Sequence, residues 1–323
     1  MCSDGVVSSA IGQGQRTYPP VVVIVGPTAV GKSEFSLDLA QRLGGEVINA
    51  DSMQLYRGLD IGTAKLPVSA RRGIDHHLLD IWELDHLATV AEFQALARAA
   101  IEAVRSRGRM PILVGGSGLY VNAVIDDLRF PGTDARVRAR WEEQLGRVGA
   151  LALHEQLRAA DPAAAAVIEP GNGRRIVRAL EVIEITGGPF IAQLAFGREY
   201  LSATMIGIDI DRPLLDARIS TRVESMWRDG LVQEVAALAA NGLAAAPTAS
   251  RAIGYSQVLA MLAGTTSETQ AKVDQATATR RFARKQLSWF RRDRRVVWLT
   301  ANDRSSDDLA DEASAVIAAR HSQ

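Results

Sequence analysis

Gly26-Pro27-Thr28-Ala29-Val30-Gly31-Lys32-Ser33 has the G-x-x-x-x-G-K-[ST] spacing of a phosphate-binding loop. In such a loop the backbone N–H groups turn inward and cradle phosphate oxygens, the lysine adds a point charge, and the final hydroxyl can ligate Mg²⁺. The glycines allow backbone angles and close approaches that a Cβ forbids. A chance glycine-rich turn would lack the flanking context present here. Val21 to Val25 is a β-branched run suited to a strand buried on both faces, and Ser33 to Leu43 places Phe35, Leu37, Leu39, Ala40 and Leu43 at helical spacing. Most loops of this kind serve ATP or GTP, so the motif alone points first to a small-molecule kinase.

Further along, Glu46 to Ala50 reads as a second strand. It ends in Asn49-Ala50-Asp51-Ser52-Met53-Gln54-Leu55-Tyr56, at the sheet edge where ligands bind. By position Asp51 could be a magnesium-shell carboxylate, a general base or a helix cap. Thr89 and Glu92 form a capping-box pattern before a helix whose apolar stripe runs from Val90 to Val104, with Gly108 as terminator. Ile112 to Val114 is a third strand that leads into Gly115-Gly116-Ser117-Gly118. Strands alternating with helices imply an α/β fold, a P-loop NTPase-like parallel sheet flanked by helices. From Asp134 to Thr186 the pattern is helical only, with starts at Asp161-Pro162 and about Arg174 and a stop at Gly187-Gly188. Thr204 to Ile210 and Val296 to Leu299 resume strand character. The expected organisation is a disordered lead-in at 1–17, a core at 18–127 and 187–300 with C-terminal helices, an all-helical insertion at 128–186, and a C-terminal tail at 301–323.

The 323 residues suffice for a sizeable core, and 47% hydrophobic against 23% charged residues is ordinary for a globular protein. Lys+Arg and Asp+Glu each number 37, so a polyanion must be held by a local basic patch. Cys2 alone excludes a disulfide framework and a cysteine zinc site, which makes a reducing cytoplasm the expected setting. The first residues fail the signal-peptide pattern, and no stretch approaches the ~18 apolar residues that span a bilayer.

That patch is Arg280 to Arg295, where eight cations stand against Asp293 for a net +7 and leave −7 for the rest of the chain. Arg281, Arg284 and Lys285 belong to it. Phe282, Gln286, Trp289 and Phe290 fall near one helical face that can dock on the core while the cations face outward, as a phosphate-binding surface requires. Arg174, Arg175 and Arg178 form a second cluster. His76-His77 invites a metal reading that neither a cysteine pair nor an HExxH pattern supports.

The ordered set of motifs closely resembles the bacterial tRNA dimethylallyltransferases. It comprises GPTAVGKS, DSMQLY, Asp60-Ile61-Gly62-Thr63-Ala64-Lys65, His76 to Ile81, Gly115 to Tyr120, Arg174 to Glu181, Ile253-Gly254-Tyr255, and Arg284-Lys285-Gln286 with Trp289-Phe290. The resemblance spans about Val21 to Leu299. It implies Mg²⁺-dependent transfer of a dimethylallyl group from dimethylallyl diphosphate to N6 of the adenine on the 3′ side of the anticodon, with the loop holding the prenyl diphosphate. It also implies that Thr28 lies near the reacting carbon and that Arg222, otherwise readable as a solvated helix charge, contacts the diphosphate. The anticodon stem–loop would meet Asp51, Ser52, Met53, Gln54, Ser117, Arg138, Arg174, Arg175, Ile176, Val177, Arg178, Arg251, Gly254, Tyr255, Arg281, Arg284 and Lys285. Ser117 stands where the family usually has threonine, and the hydroxyl survives.

The residues suit that chemistry independently. An allylic carbon ionises readily once the charge on the departing diphosphate is stabilised by loop N–H groups, Lys32 and a Ser33-bound Mg²⁺. The adenine amine is a weak nucleophile, so a carboxylate that takes its proton as the bond forms is useful, and Asp51 is the candidate. The expected protein is a cytoplasmic monomer with no membrane partner. Its rivals are an adenylate isopentenyltransferase, which would need neither the insertion nor the basic helix, a P-loop kinase, and an RNA-binding protein without catalysis, against which Lys32, Ser33 and Asp51 stand.

Overall fold

The computed structural model describes residues 21–190 and 197–321, so the lead-in expected at 1–17 lies outside the described residues. In chain order the core begins with β1 (Val21–Val25), α1 (Lys32–Leu43), β2 (Gly45–Asn49), β3 (His76–His77), α2 (Val90–Ser106), β4 (Met110–Val114) and α3 (Gly118–Ile125). A helical unit follows, with α4 (Ala135–Ala160), α5 (Pro162–Val167) and α6 (Gly173–Thr186). The chain then returns through β5 (Ala203–Asp209), α7 (Arg212–Arg228), α8 (Leu231–Ala240), α9 (Tyr255–Leu262), α10 (Glu268–Phe290), β6 (Val296–Thr300) and α11 (Ser306–His321).

Among the described residues six strands form one parallel sheet in the order β3-β2-β4-β1-β5-β6. β1 lies inside it, with Val22 beside Ile112 of β4 and Thr204 of β5. Because side chains alternate along a strand, Val21, Val23 and Val25 enter the core on one face, and Val22 and Ile24 enter the core on the other. All five are fully buried, as a strand covered on both sides must be. The phosphate loop therefore leaves the middle of a rigid sheet.

The helical unit has its own core, in which Leu153, Leu157, Ile176 and Leu180 are buried. Its boundaries are set by caps. Asp134 accepts from the Arg136 and Val137 amides, Asp161 accepts from the Ala164 amide ahead of Pro162, and Gly187 closes α6 in the left-handed conformation. Gly149 interrupts α4 with φ 81°.

Three elements differ from the expectations drawn from sequence. Residues 301–323 were expected as a tail, but 306–321 form α11. Leu309, Ala310, Ala313 and Ile317 are buried, and Arg42 of α1 pairs with Asp307 at 2.5 Å and Asp311 at 3.0 Å. Burying Leu309 and Ile317 contributes about 1.5–3 kcal/mol each. Thr89 caps α2 by accepting from the Glu92 amide, while the Glu92 carboxylate goes to His86 at 2.8 Å and supplies no second half of a box. On α10 the buried stripe is Ala271, Gln275, Ala283, Gln286 and Phe290. Phe282 and Trp289 flank that stripe and stay more than a third exposed.

Candidate active site and RNA-facing surface

The loop from Gly26 to Ser33 joins the end of β1 to the start of α1, so its N–H groups and the positive end of the helix converge on one point. Gly26 has φ 148° and Gly31 φ 106°, and a Cβ on Gly26 would come within 2.7 Å of the Ile208 carbonyl oxygen. Lys32 folds back over the loop and donates to the carbonyls of Gly26 at 3.0 Å and Pro27 at 2.8 Å. Burial pushes its ammonium down to about 8; Asp51 opposes that fall, and Arg222 adds to it. A half-buried, partly desolvated cation flanked by a second cation is prepared for an anion.

Asp51 sits just past the end of β2. Asn49 fixes it: the Asp51 amide donates to Asn49 Oδ1 at 2.9 Å, and Asn49 Nδ2 donates to the carbonyls of Asp51 and Leu78. Asp51 Oδ1 accepts from the Met53 amide at 3.0 Å, so one carboxylate oxygen holds the 51–54 turn. This is an Asx-type turn, and because no helix follows it the helix-cap alternative does not apply. It engages one oxygen of two.

α7 closes the loop from the other side. Arg222 Nη1 lies 3.4 Å from the Thr28 hydroxyl, and Arg218, one turn earlier, donates to the Val30 carbonyl at 3.2 Å. Burial lowers the Arg222 guanidinium from its ordinary value, and Asp51 partly restores it. Arg222 thus lies against the phosphate loop, partly desolvated, and does not project into solvent as an isolated helix charge. Its i, i+4 relation to Arg218 was the sequence signal for the second arginine.

Ser33 is half-buried at the start of α1, beside a small pocket of about 40 Å³ lined by Ser33, Ser36, Asn49, Gln54 and His76 among others. Among the described residues no group of three or more His, Cys, Asp or Glu could hold a metal. One hydroxyl with few protein ligands suits Mg²⁺, which keeps its waters and relies on substrate phosphates. The histidines are otherwise occupied: His76 Nδ1 meets the Ile74 carbonyl at 2.9 Å, and His77 pairs with Glu46 at 2.7 Å.

Gln286 of α10, expected on the core-facing side of the helix, is buried there and touches two glycine-rich loops. Its Oε1 accepts from the Thr28 amide at 2.8 Å, and its Nε2 donates to the Gly116 carbonyl at 3.0 Å. The exposed side of the same helix carries Arg281, Arg284 and Lys285. A cleft of about 1370 Å³ opens between the core and the helical unit. Its walls include Leu119, Asn122 and Trp289 on the core side, and Arg138, Arg175 and Arg178 on the other.

Several expected RNA contacts are placed otherwise. Ile176 and Val177 are 0% and 2% exposed and pack inside the helical unit, because the buried stripe of α6 runs through them. Tyr255 is fully buried and donates its hydroxyl to Glu234, and Gly254 is buried beside it. These side chains shape a surface without forming it. Arg178 bonds Glu181 and the carbonyls of Pro131 and Gly132, and Arg138 also approaches Glu181. Arg174, Arg175 and Arg251 are exposed, while Ser52, Met53, Gln54 and Ser117 are half-buried near the site.

The comparisons with known proteins agree with one another. The family model described as IPP transferase matches residues 54–293. The tRNA dimethylallyltransferase of Salinispora arenicola is 59% identical over 299 residues, covering 93% of this chain and 87% of that one. Its counterpart in Streptomyces griseus is 58% identical over 93% of this chain and 96% of its own. The solved full-length tRNA isopentenylpyrophosphate transferase of Bacillus halodurans is 41% identical with a TM-score of 0.69, covering 93% of this chain and 96% of that one. A eukaryotic dimethylallyltransferase caught acting on tRNA is 26% identical with a TM-score of 0.78, covering 92% and 78%.

Proposed function

This chain belongs to the tRNA dimethylallyltransferases, and we propose that the site around Thr28, Lys32, Asp51 and Arg222 moves a dimethylallyl group from its diphosphate to N6 of the adenine 3′ to the anticodon. The enzyme is a prenyltransferase. The observation that carries the finer reading is the meeting of a phosphate loop, two partly desolvated cations and one carboxylate at a single sheet edge.

In this reading the bond between C1 of the prenyl group and the diphosphate oxygen breaks, and a bond from N6 to C1 forms. The N6 proton passes to Asp51, and diphosphate leaves with the electron pair of the broken bond. Loop N–H groups, Lys32 and Arg222 hold the charge that develops on the diphosphate, which favours the transition state over the ground state. Thr28, held between Arg222 and Gln286, faces the reacting carbon. Ser33 would hold Mg²⁺, which supplies further neutralisation of the departing group. The anticodon stem–loop is assigned to α10, the arginine-lined cleft and the 51–54 turn. The active form is taken to be a monomer, and the proposed setting is the cytoplasm, where tRNA is used.

Incubation with labelled dimethylallyl diphosphate, Mg²⁺ and unmodified tRNA tests this directly. Label should appear on the adenine beside the anticodon. Label on free AMP instead would reassign the enzyme to adenylate isopentenyl transfer, and ATP turnover without prenyl diphosphate would point to a kinase.

A further inference from the structure

The Lys65 side chain is only 3% exposed, yet it touches no group assigned to the chemistry. Its ammonium donates to three oxygens: the Tyr56 carbonyl at 2.9 Å, Asp60 Oδ1 at 2.7 Å and Asp80 Oδ1 at 2.5 Å. Three donors meet three acceptors, so the buried charge is fully satisfied in this one place. The two carboxylates remain open to water on their other sides, while Tyr56 is fully buried.

Each acceptor belongs to a different stretch of backbone. Tyr56 ends the turn that starts at Asn49 and carries Asp51. Asp80 belongs to 78–82, whose amides hold that same turn from outside. Ile81 and Trp82 donate to the Leu55 carbonyl at 2.8 and 2.9 Å, and Asp80 donates to the Gln54 carbonyl at 3.3 Å. Leu78 and Asp80 both lie in the left-handed region, with φ 60° and 56°, where residues other than glycine stay only if their surroundings hold them. The third stretch, at Asp60, is pinned to α8. Glu234 accepts from the amides of Asp60 at 3.3 Å, Ile61 at 2.8 Å and Gly62 at 3.4 Å. Lys65 therefore ties a loop anchored on a core helix to the far end of the Asp51 turn, as Asn49 ties the near end.

Asp51 spends one carboxylate oxygen on the Met53 amide, so the direction of the other follows the path of the turn. We propose that Lys65 is a positioning residue that fixes this path and so aims the free oxygen of Asp51 at the acceptor amine. The proposal rests on the reading of Asp51 as the base. A base works only within hydrogen-bond reach of the proton it takes, and a misplacement of about 1 Å can cost about a hundredfold in rate. Lys65 acts through geometry alone, so its effect on transfer depends on a working carboxylate at position 51.

A double-mutant cycle on the full chain reads this dependence, with single-turnover transfer from labelled dimethylallyl diphosphate to unmodified tRNA in the presence of Mg²⁺. Lys65→Met should slow transfer by about 10–100-fold. In an Asp51→Asn background the same change should cost less than about threefold, because a base already removed cannot be misaimed. Affinities for inorganic diphosphate and for an anticodon stem–loop should stay within about threefold of wild type. Equal rate losses in the two backgrounds, or a parallel fall in both affinities, would mark a merely structural role and overturn the proposal. A Lys65→Met rate near wild type overturns it too. If Lys65→Met does not fold, Asp80→Asn takes its place in the cycle. Asparagine tolerates the left-handed backbone and removes one charge from the ammonium, so the expected loss is about tenfold with Asp51 present and below about twofold without it. Near wild-type transfer by Asp51→Asn alone is a separate result, with position 65 untouched; it ends the reading of Asp51 as the base and the proposal with it.

Discussion

Arg222 reaches Thr28 across 194 residues of sequence, its Nη1 lying 3.4 Å from the threonine hydroxyl. The contact closes the phosphate loop with a cation that burial has made costly to keep charged, so a diphosphate there relieves an existing strain in the electrostatics. Arg222→Gln should lower the single-turnover transfer rate by about 10²–10³-fold, the usual loss for one preorganised donor to a developing anion. Anticodon stem–loop affinity, measured by filter binding, should stay near wild type. A comparable fall in RNA affinity would move Arg222 from the leaving group to the acceptor.

Lys32 makes a pH signature. With the ammonium held near 8 instead of 10.5, the free protein loses this charge above about pH 8, and diphosphate must restore it on binding. Affinity for diphosphate should then fall by about tenfold per pH unit above that point, relative to a Lys32→Arg variant whose charge does not titrate. The stability effect has the matching sign. Burying charged Lys32 costs stability below pH 8, and the cost fades as pH rises toward 10.5, so Lys32→Met should lose its stability advantage over that window. Parallel affinity curves for wild type and Lys32→Arg would show that Lys32 does not titrate there.

The phosphate loop, the two-faced strand β1 and the helical unit were legible because each rests on local chemistry. A glycine spacing, a β-branched run and a set of helix caps need no knowledge of the rest of the chain. What could not be read was contact at long range. Helical spacing put Gln286 on the face of α10 that docks on the core, but it could not name Thr28, 258 positions away, as the group its amide meets. The misplacements share a cause. Ile176, Val177 and Tyr255 lie inside motifs with exposed arginines, but helical spacing turns their side chains inward, so a motif assigned as a block mixes surface with support. The tail became α11 because its small apolar residues, Ala310 and Ala313, pack against α1 without a strong apolar run to announce them.

Charge reversal at Arg281, Arg284 and Lys285 tests the outer side of α10. For every phosphate that the variant no longer neutralises, the slope of log K against log salt should shrink by somewhat less than one, as fewer counterions are released. Affinity for stem–loop RNA measured across a salt series should give a flatter line for the triple variant. An unchanged slope would mean that these cations face only solvent.

Asp126 and Arg295 offer a stability test away from the chemistry. Asp126 is fully buried, pairs with Arg295 at 2.6 Å and accepts from Asn122 at 2.8 Å, tying the start of β6 to the end of α3. Arg295→Met strands a buried carboxylate and should cost about 3–5 kcal/mol in urea unfolding. Adding Asp126→Leu should recover most of that loss. A single-variant cost near zero would show that water reaches the pair.

In the proposed chemistry the loop serves the diphosphate while Asp51 serves the adenine amine, and Asp51→Asn separates the two roles. Asparagine keeps the shape and the turn but cannot accept the N6 proton. Single-turnover transfer measured across a Mg²⁺ titration should fall by about 10²–10⁴-fold at every metal concentration, with RNA affinity little changed. A rate that excess Mg²⁺ restores to near wild type would overturn this division of roles, because it would make Asp51 part of the magnesium shell instead of the base.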